Sequence, residues 1–171
     1  MKSKALFFLI LLLSVGLKLY LAVDWVEQKY GPFCFYDELW YRQNAEAIFQ
    51  AGAYFTFHYP PVYPLLLAPA FLSEGNWYFW MLVINGLLSS LVLIPIWQIS
   101  SRLLSEREAL MTTGIVALLP LNFIYPRMIM SENVYPAILG FLALTGLKLS
   151  YRKRWLSFIY GALIVAAWAT R

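Results

Sequence analysis

Asp37 and Glu38 are neighbours in a 24–76 segment that lies between two long apolar stretches and holds six of the chain's nine acidic residues. A carboxylate beside an apolar phase can take a proton from a hydroxyl, which is general-base chemistry. An acid at the start of a helix can equally satisfy N–H groups that the first turn leaves without partners. For Asp37 the residues alone leave base and N-cap both open, and the two roles are compatible. Glu38 can assist or bind an acceptor, or stand in solvent as a first-turn acid that complements the helix dipole. The solvated role is the more ordinary one.

Four further residues extend the same chemistry. Arg127 and Arg171 end apolar stretches, where a guanidinium can hold phosphate oxygens through a planar fork. The alternative for each is a long side chain that reaches the headgroups from a helix end. Glu132, five residues after Arg127, either marks a substrate pathway or forms an interfacial ion pair with that Arg. His58, beside Pro60 and Pro61, contacts a phosphate or an acceptor, or is a hydrogen-bonded structural residue. With one His and one Cys, Cys34, the chain has no intrachain disulfide and no zinc-type ligand spacing.

Water is the wrong solvent for the elements that must position these groups. Of 171 residues, 61% are hydrophobic and only 13% charged, against roughly half apolar and a quarter charged in a soluble domain. Lipid offers no partners for backbone N–H and C=O groups, so such a chain crosses a bilayer as apolar helices of about 20 residues. Five stretches approach that length, at 5–23, 77–99, 109–126, 134–151 and 155–170. The third contains Pro120 and the last is short, so their limits are soft. The chain opens Met1-Lys2-Ser3-Lys4 as a secretory signal does, but the following apolar run is too long and no small-residue cleavage site precedes Asp24, which predicts a retained anchor. Lys18, near its far end, is expected to extend toward the headgroups.

With a cytoplasmic N-terminus, Lys2, Lys4, Arg102, Arg107, Lys148, Arg152, Lys153 and Arg154 face inward and Lys18, Lys29, Arg42, Arg127 and Arg171 outward, eight against five. The inward loops are also much shorter, so the positive-inside rule favours this orientation. The net charge of +4 is then topological, and no nucleic-acid partner is implied.

This orientation makes 24–76 a long first extracytoplasmic loop. Within 31–52, Leu39, Trp40, Ala47, Ile48 and Ala51 fall on one side of a helix that Gly52 stops. Such an amphipathic helix suits the bilayer surface. The segment HYPPVYPLLLAPAFL at 58–72 is apolar, carries Pro60, Pro61, Pro64 and Pro69, and is too short to span, which predicts an interfacial or re-entrant element. Aromatic residues on its flanks, among them Tyr54, Phe55, Trp77 and Trp80, belong at the headgroup boundary. The expected fold class is an all-α membrane protein of about five transmembrane helices, forming one module over 1–171.

In order along the chain stand an N-terminal span; Asp37-Glu38 followed by Tyr41, Ala45 and Gly52; His58-Tyr59-Pro60-Pro61-Val62-Tyr63-Pro64; Arg107 in a short cytoplasmic turn; Ser131-Glu132 at the start of the fourth span; and Ala169-Thr170-Arg171. This order resembles the GT-C class of integral-membrane glycosyltransferases, in particular the branch of protein O-mannosyltransferases, aminoarabinose transferases and rhizobial galacturonosyltransferase-like proteins. The resemblance covers nearly the whole chain. It implies transfer of a sugar from a polyprenyl-phosphate donor to an acceptor hydroxyl on the extracytoplasmic face of the cytoplasmic membrane, with inversion at the anomeric carbon and without cofactor or metal. It also implies a catalytic base at Asp37; the candidate substrate contacts, from the residues themselves, are Glu38, His58, Arg127, Glu132 and Arg171. Members of the class are much longer, so the chain is expected to be the N-terminal part of a transferase. The competing expectations are a non-catalytic module that binds polyprenyl lipids or joins a transferase subunit, and an inactive truncation.

Overall fold

A computed structural model describes residues 2–27, 36–52, 59–73, 75–149 and 154–170. Every regular element among them is helical. In chain order these are α1 (Lys2–Glu27), α2 (Tyr36–Ala51), α3 (Val62–Leu67), α4 (Trp77–Ser90), α5 (Leu93–Leu103), α6 (Glu106–Ala117), α7 (Leu121–Ile124), α8 (Tyr135–Lys148) and α9 (Arg154–Trp168). Short 3-10 turns at Ala68–Leu72, Tyr125–Arg127 and Ser131–Asn133 complete the set.

Two helices are long and apolar enough to cross a membrane: Ser3–Val26, and the run Trp77–Leu103 made of α4 and α5. A third candidate is α6 followed by Leu121–Arg127, bent by 54°. The helices α8 and α9 have 14 and 15 residues. At 1.5 Å per residue they reach about 21–23 Å, short of a hydrocarbon core of about 30 Å. All five apolar stretches are therefore helical, but only two, or three with the bent pair, meet the length requirement by themselves.

Two prolines explain where these helices break. Pro95 has no N–H for the Leu91 carbonyl, which accepts instead from Ile94 at 3.1 Å, tightening the chain into a turn between α4 and α5. Pro120 likewise leaves the Val116 carbonyl without its donor four residues on. Leu119 N–H takes it at 3.3 Å, and the Asn122 side chain donates to it as well. The start of α6 is fixed differently: Ser105 accepts from Glu108 N–H while the Glu108 carboxylate accepts from Ser105 N–H, a reciprocal capping box.

Packing runs α1 against α4 and α6, α5 against α6 and α8, and α8 against α9. Close approach depends on small residues, as is usual where lipid supplies no hydrophobic drive between helices. A Cβ on Gly140 would lie 2.7 Å from Pro95 Cγ, so α5 and α8 meet at a distance that no side chain permits. Two apolar clusters result. One gathers Tyr41, Tyr63, Leu67, Met81 and Ile129 at the α2–α3 side; the other gathers Phe7, Leu93 and Ala117, with Trp97 stacked on Phe7 at 4.5 Å.

Lys18 departs from expectation. Instead of extending outward it is 2% exposed, and its Nζ donates to Ser89 Oγ and Ser90 Oγ, each at 3.1 Å. Gly86 lies against the Lys18 stem and leaves room for it to turn toward α4. Ionisable groups inside membrane segments characteristically face the bundle interior and polar partners there.

Candidate functional site

The helix α2 carries Asp37 and Glu38 in its first turn and ends at Gly52, whose φ of 60° lies in the left-handed region that glycine enters without steric cost. Asp37 stands inside the first turn of α2, not ahead of it, so it is not the N-cap. Its Oδ1 accepts a hydrogen bond from the Tyr59 hydroxyl at 2.7 Å. Tyr59 precedes Pro60-Pro61, which restricts its backbone. Its ring meets Tyr41 edge-on at 5.2 Å and stacks with Trp40 at 6.3 Å. A carboxylate that accepts from one phenol retains acceptor capacity for a second hydroxyl.

Glu38 corrects the expectation of a solvated acid. It is 1% exposed, and its Oε1 accepts from Ile129 N–H at 2.7 Å. Consecutive helix positions differ by about 100°, which sends Asp37 and Glu38 to different sides, and the side Glu38 faces is the packed one. Its carboxylate latches α2 to the segment that follows α7.

Around this latch lies a buried polar network. Tyr41 donates to Ser131 Oγ at 3.2 Å, and Tyr63 donates to Asn85 Oδ1 at 2.7 Å. Asn85 Nδ2 reaches the Met128 carbonyl at 2.8 Å; Asn133 Nδ2 reaches the same carbonyl at 2.8 Å and that of Met130 at 3.0 Å. Burial holds the Tyr41 phenol above its ordinary range; the Ser131 hydrogen bond opposes this, and the charges of Glu132 and Asp37 add to it. The same phenol thus feels carboxylates from α2 and from the 131–133 turn. Tyr63 is raised further, first by burial, against the hydrogen bonds of Asn133 and Asn85.

Arg127 sets its guanidinium over the Trp25 ring, 5.4 Å from the centroid, and Trp25 Nε1 donates to the Tyr78 hydroxyl at 3.1 Å. Among the described residues Arg127 and Glu132 form no ion pair, so of the two alternatives for Glu132 the interfacial pair is not realised. The Arg127 Nε is buried without a hydrogen-bond partner. Glu132 is exposed and lines a cavity. His58 and Arg171 lie outside the described residues. The end of α9 does reach the loop: Val62 N–H donates to the Ala169 carbonyl at 3.1 Å.

The structure therefore brings Asp37, Tyr59, Tyr41 and Glu132 into one neighbourhood and removes Glu38 to its support. Asn85 and Asn133 were not singled out by sequence reasoning, and Tyr63 entered it only as part of the His58–Pro64 segment. One signal was available, since a lone Asn within the apolar stretch 77–99 is a residue that membrane helices retain for a hydrogen bond. A scan against protein-family models finds no match, and neither a search of curated proteins nor one of solved structures returns any.

Proposed function

We propose that the chain is a membrane glycosyltransferase module that moves a sugar from a polyprenyl-phosphate donor to an acceptor hydroxyl. The observation that carries this reading is the chain of contacts that joins the loop carboxylate to the 131–133 turn: Tyr59 donates to Asp37, its ring meets Tyr41, and Tyr41 donates to Ser131, the neighbour of Glu132. In the proposed reaction the Asp37 carboxylate takes the acceptor proton as that oxygen attacks the anomeric carbon from the face opposite the phosphate. The bond from carbon to phosphate oxygen breaks and its electron pair leaves with polyprenyl phosphate. Arg127 stabilises that departing charge, an electrostatic role in which a fixed cation is most effective. Inversion at the anomeric carbon follows.

The same proposal sets five helices across the cytoplasmic membrane, with a cytoplasmic N-terminus and 24–76 as an extracytoplasmic loop. The short α8 and α9 are matched to the bilayer by flanking residues and local thinning. A loop of this kind, rich in aromatic residues, meets a lipid-borne substrate at headgroup depth.

The test is reconstitution of the chain, alone and with any coding sequence that continues it, followed by assay of polyprenyl phosphate release from a panel of lipid-linked sugars. The reading predicts release and a product of inverted configuration. Lipid binding without release from any donor contradicts it and favours a polyprenyl-binding module. A product of retained configuration removes the single-displacement role of Asp37.

A further inference from the structure

We infer that the groove between α1, the end of α6 and α7 seats the hydrocarbon chain of a polyprenyl phosphate whose phosphate rests on Arg127. The inference rests on the transferase reading for the identity of the lipid; the groove and its cation are argued from their own residues. Ile10, Leu13 and Leu17 form one wall, and Gly114, Leu118 and Phe123 the other. The groove lies at the bend of 54°, with Gly114 and Leu118 before Pro120 and Phe123 after it. Leu13, Leu17 and Leu118 are exposed, so in a bilayer the groove is open to the lipid and a chain enters it sideways. It holds about 220 Å³, below the roughly 300–1,000 Å³ of pockets that take drug-sized ligands. One segment of a long chain is the fitting occupant.

Gly114 leaves a space that helix packing does not use. A glycine inside a helix is destabilising relative to alanine, and elsewhere in this fold the missing side chain admits a neighbour: Gly86 admits Lys18 and Gly140 admits Pro95. A Cβ on Gly114 would meet nothing within 4 Å, so its smallness widens the groove instead. Ser14 is the one polar side chain of the lining, and its Oγ is buried without a partner. In a membrane helix such a hydroxyl can turn to the carbonyl four residues back, here that of Ile10, which leaves the lining apolar.

Beyond the groove the Tyr125–Arg127 turn packs on α1. There Arg127 lies over Trp25, whose indole is hydrogen-bonded to Tyr78; Trp and Tyr together mark this level as the headgroup boundary. Trp25 stands eight residues past Leu17, about 12 Å along the helix, so the chain runs down α1 from the phosphate to the groove. Arg127 is partly exposed, and among the described residues it has no carboxylate partner. A guanidinium in that condition at headgroup depth attracts an anion, and phosphate oxygens match its fork. One groove beneath one guanidinium suits a lipid of one chain and one phosphate, whereas a diacyl phospholipid would leave its second chain outside.

The experiment places the chain in phosphatidylcholine nanodiscs and measures binding of long-chain polyprenyl phosphate and of phosphatidic acid. Gly114→Leu fills the groove without a clash at its Cβ; Gly161→Leu, on α9 where a Cβ also meets nothing, is the control. The inference predicts that Gly114→Leu weakens polyprenyl phosphate binding at least about 10-fold and that Gly161→Leu leaves it unchanged. It also predicts that Arg127→Gln weakens the same binding and that phosphatidic acid competes poorly. On wild type a photoactivatable polyprenyl phosphate should crosslink to Leu13, Leu17, Leu118 or Phe123, a readout that remains informative even where Gly114→Leu fails to fold. Polyprenyl phosphate binding that Gly114→Leu leaves intact, or crosslinks confined to other residues, overturns the groove while the transferase reading stands. Binding indifferent to Arg127→Gln overturns the phosphate seat. Phosphatidic acid bound as tightly and through the same groove overturns the polyprenyl chain as its occupant. Groove-dependent binding with no sugar release from any lipid-linked donor upholds the groove and overturns the transferase reading instead.

Discussion

The two clusters of this molecule are built on different principles. Around Phe7, Leu93 and Ala117 the contact is stacking, with Trp97 against Phe7, and further along α5 the helices meet by close approach of Gly140 to Pro95. Around Tyr41, Tyr63 and Ile129 the apolar contacts are threaded by hydrogen bonds from Glu38, Asn85 and Ser131. Packing alone joins helices but tolerates small shifts, whereas a satisfied buried network fixes distances, and an unsatisfied one is costly. The rigid, polar cluster is the one that carries Asp37. The proposed reaction would therefore sit where hydrogen bonds, and not packing alone, set the distances.

Four substitutions sharpen or break that contrast. Glu38→Leu leaves Ile129 N–H buried without an acceptor and should cost about 3 kcal/mol, read from denaturant unfolding in detergent. A loss below a third of that would mean that the latch does not hold the network. Gly140→Ala forces α5 from α8 and should cost about 2 kcal/mol by overpacking, while leaving the proposed polyprenyl phosphate release per folded molecule unchanged; a change in that rate would show that the clusters are coupled. Tyr63→Phe should cost about 1 kcal/mol near neutral pH. It should also flatten the alkaline limb of the stability curve. The folded pKa values of Tyr41 and Tyr63 are raised, so the unfolded chain loses these protons first, and stability present below about pH 10 declines as pH rises above it. An equally steep limb in Tyr63→Phe would exclude that phenol as its source. Asn122→Ala removes a donor to the Val116 carbonyl that Leu119 N–H also serves and should cost less than about 1 kcal/mol, seen as a small drop in the unfolding midpoint.

Local features of the fold were legible in the sequence. The apolar stretches form helices, Gly52 stops α2, and Pro120 divides the third stretch, because each depends on composition or on a missing N–H within a few residues. How many helices reach across a bilayer was less legible, since 14 and 15 residues lie below the length that composition alone judges. Side-chain direction was not legible where the partner is distant. Glu38 meets Ile129 across 91 positions and Lys18 meets Ser89 across 71, so a solvated acid and an outward lysine were reasonable local readings that tertiary contacts overrode. The ion-pair alternative for Arg127 and Glu132 is unrealised for the converse reason. Five residues of separation placed the two near each other, but Trp25 supplied the guanidinium with an aromatic face.

The central claim is that of two adjacent carboxylates one reacts and the other holds the structure. The most direct test is the rate of polyprenyl phosphate release by Asp37→Asn, measured on protein whose unfolding midpoint is recorded in the same preparation. The account predicts a loss on the order of a hundredfold or more with the midpoint unchanged, as expected when a general base is removed. Release at the wild-type rate, or a loss explained entirely by a lowered midpoint, would contradict it.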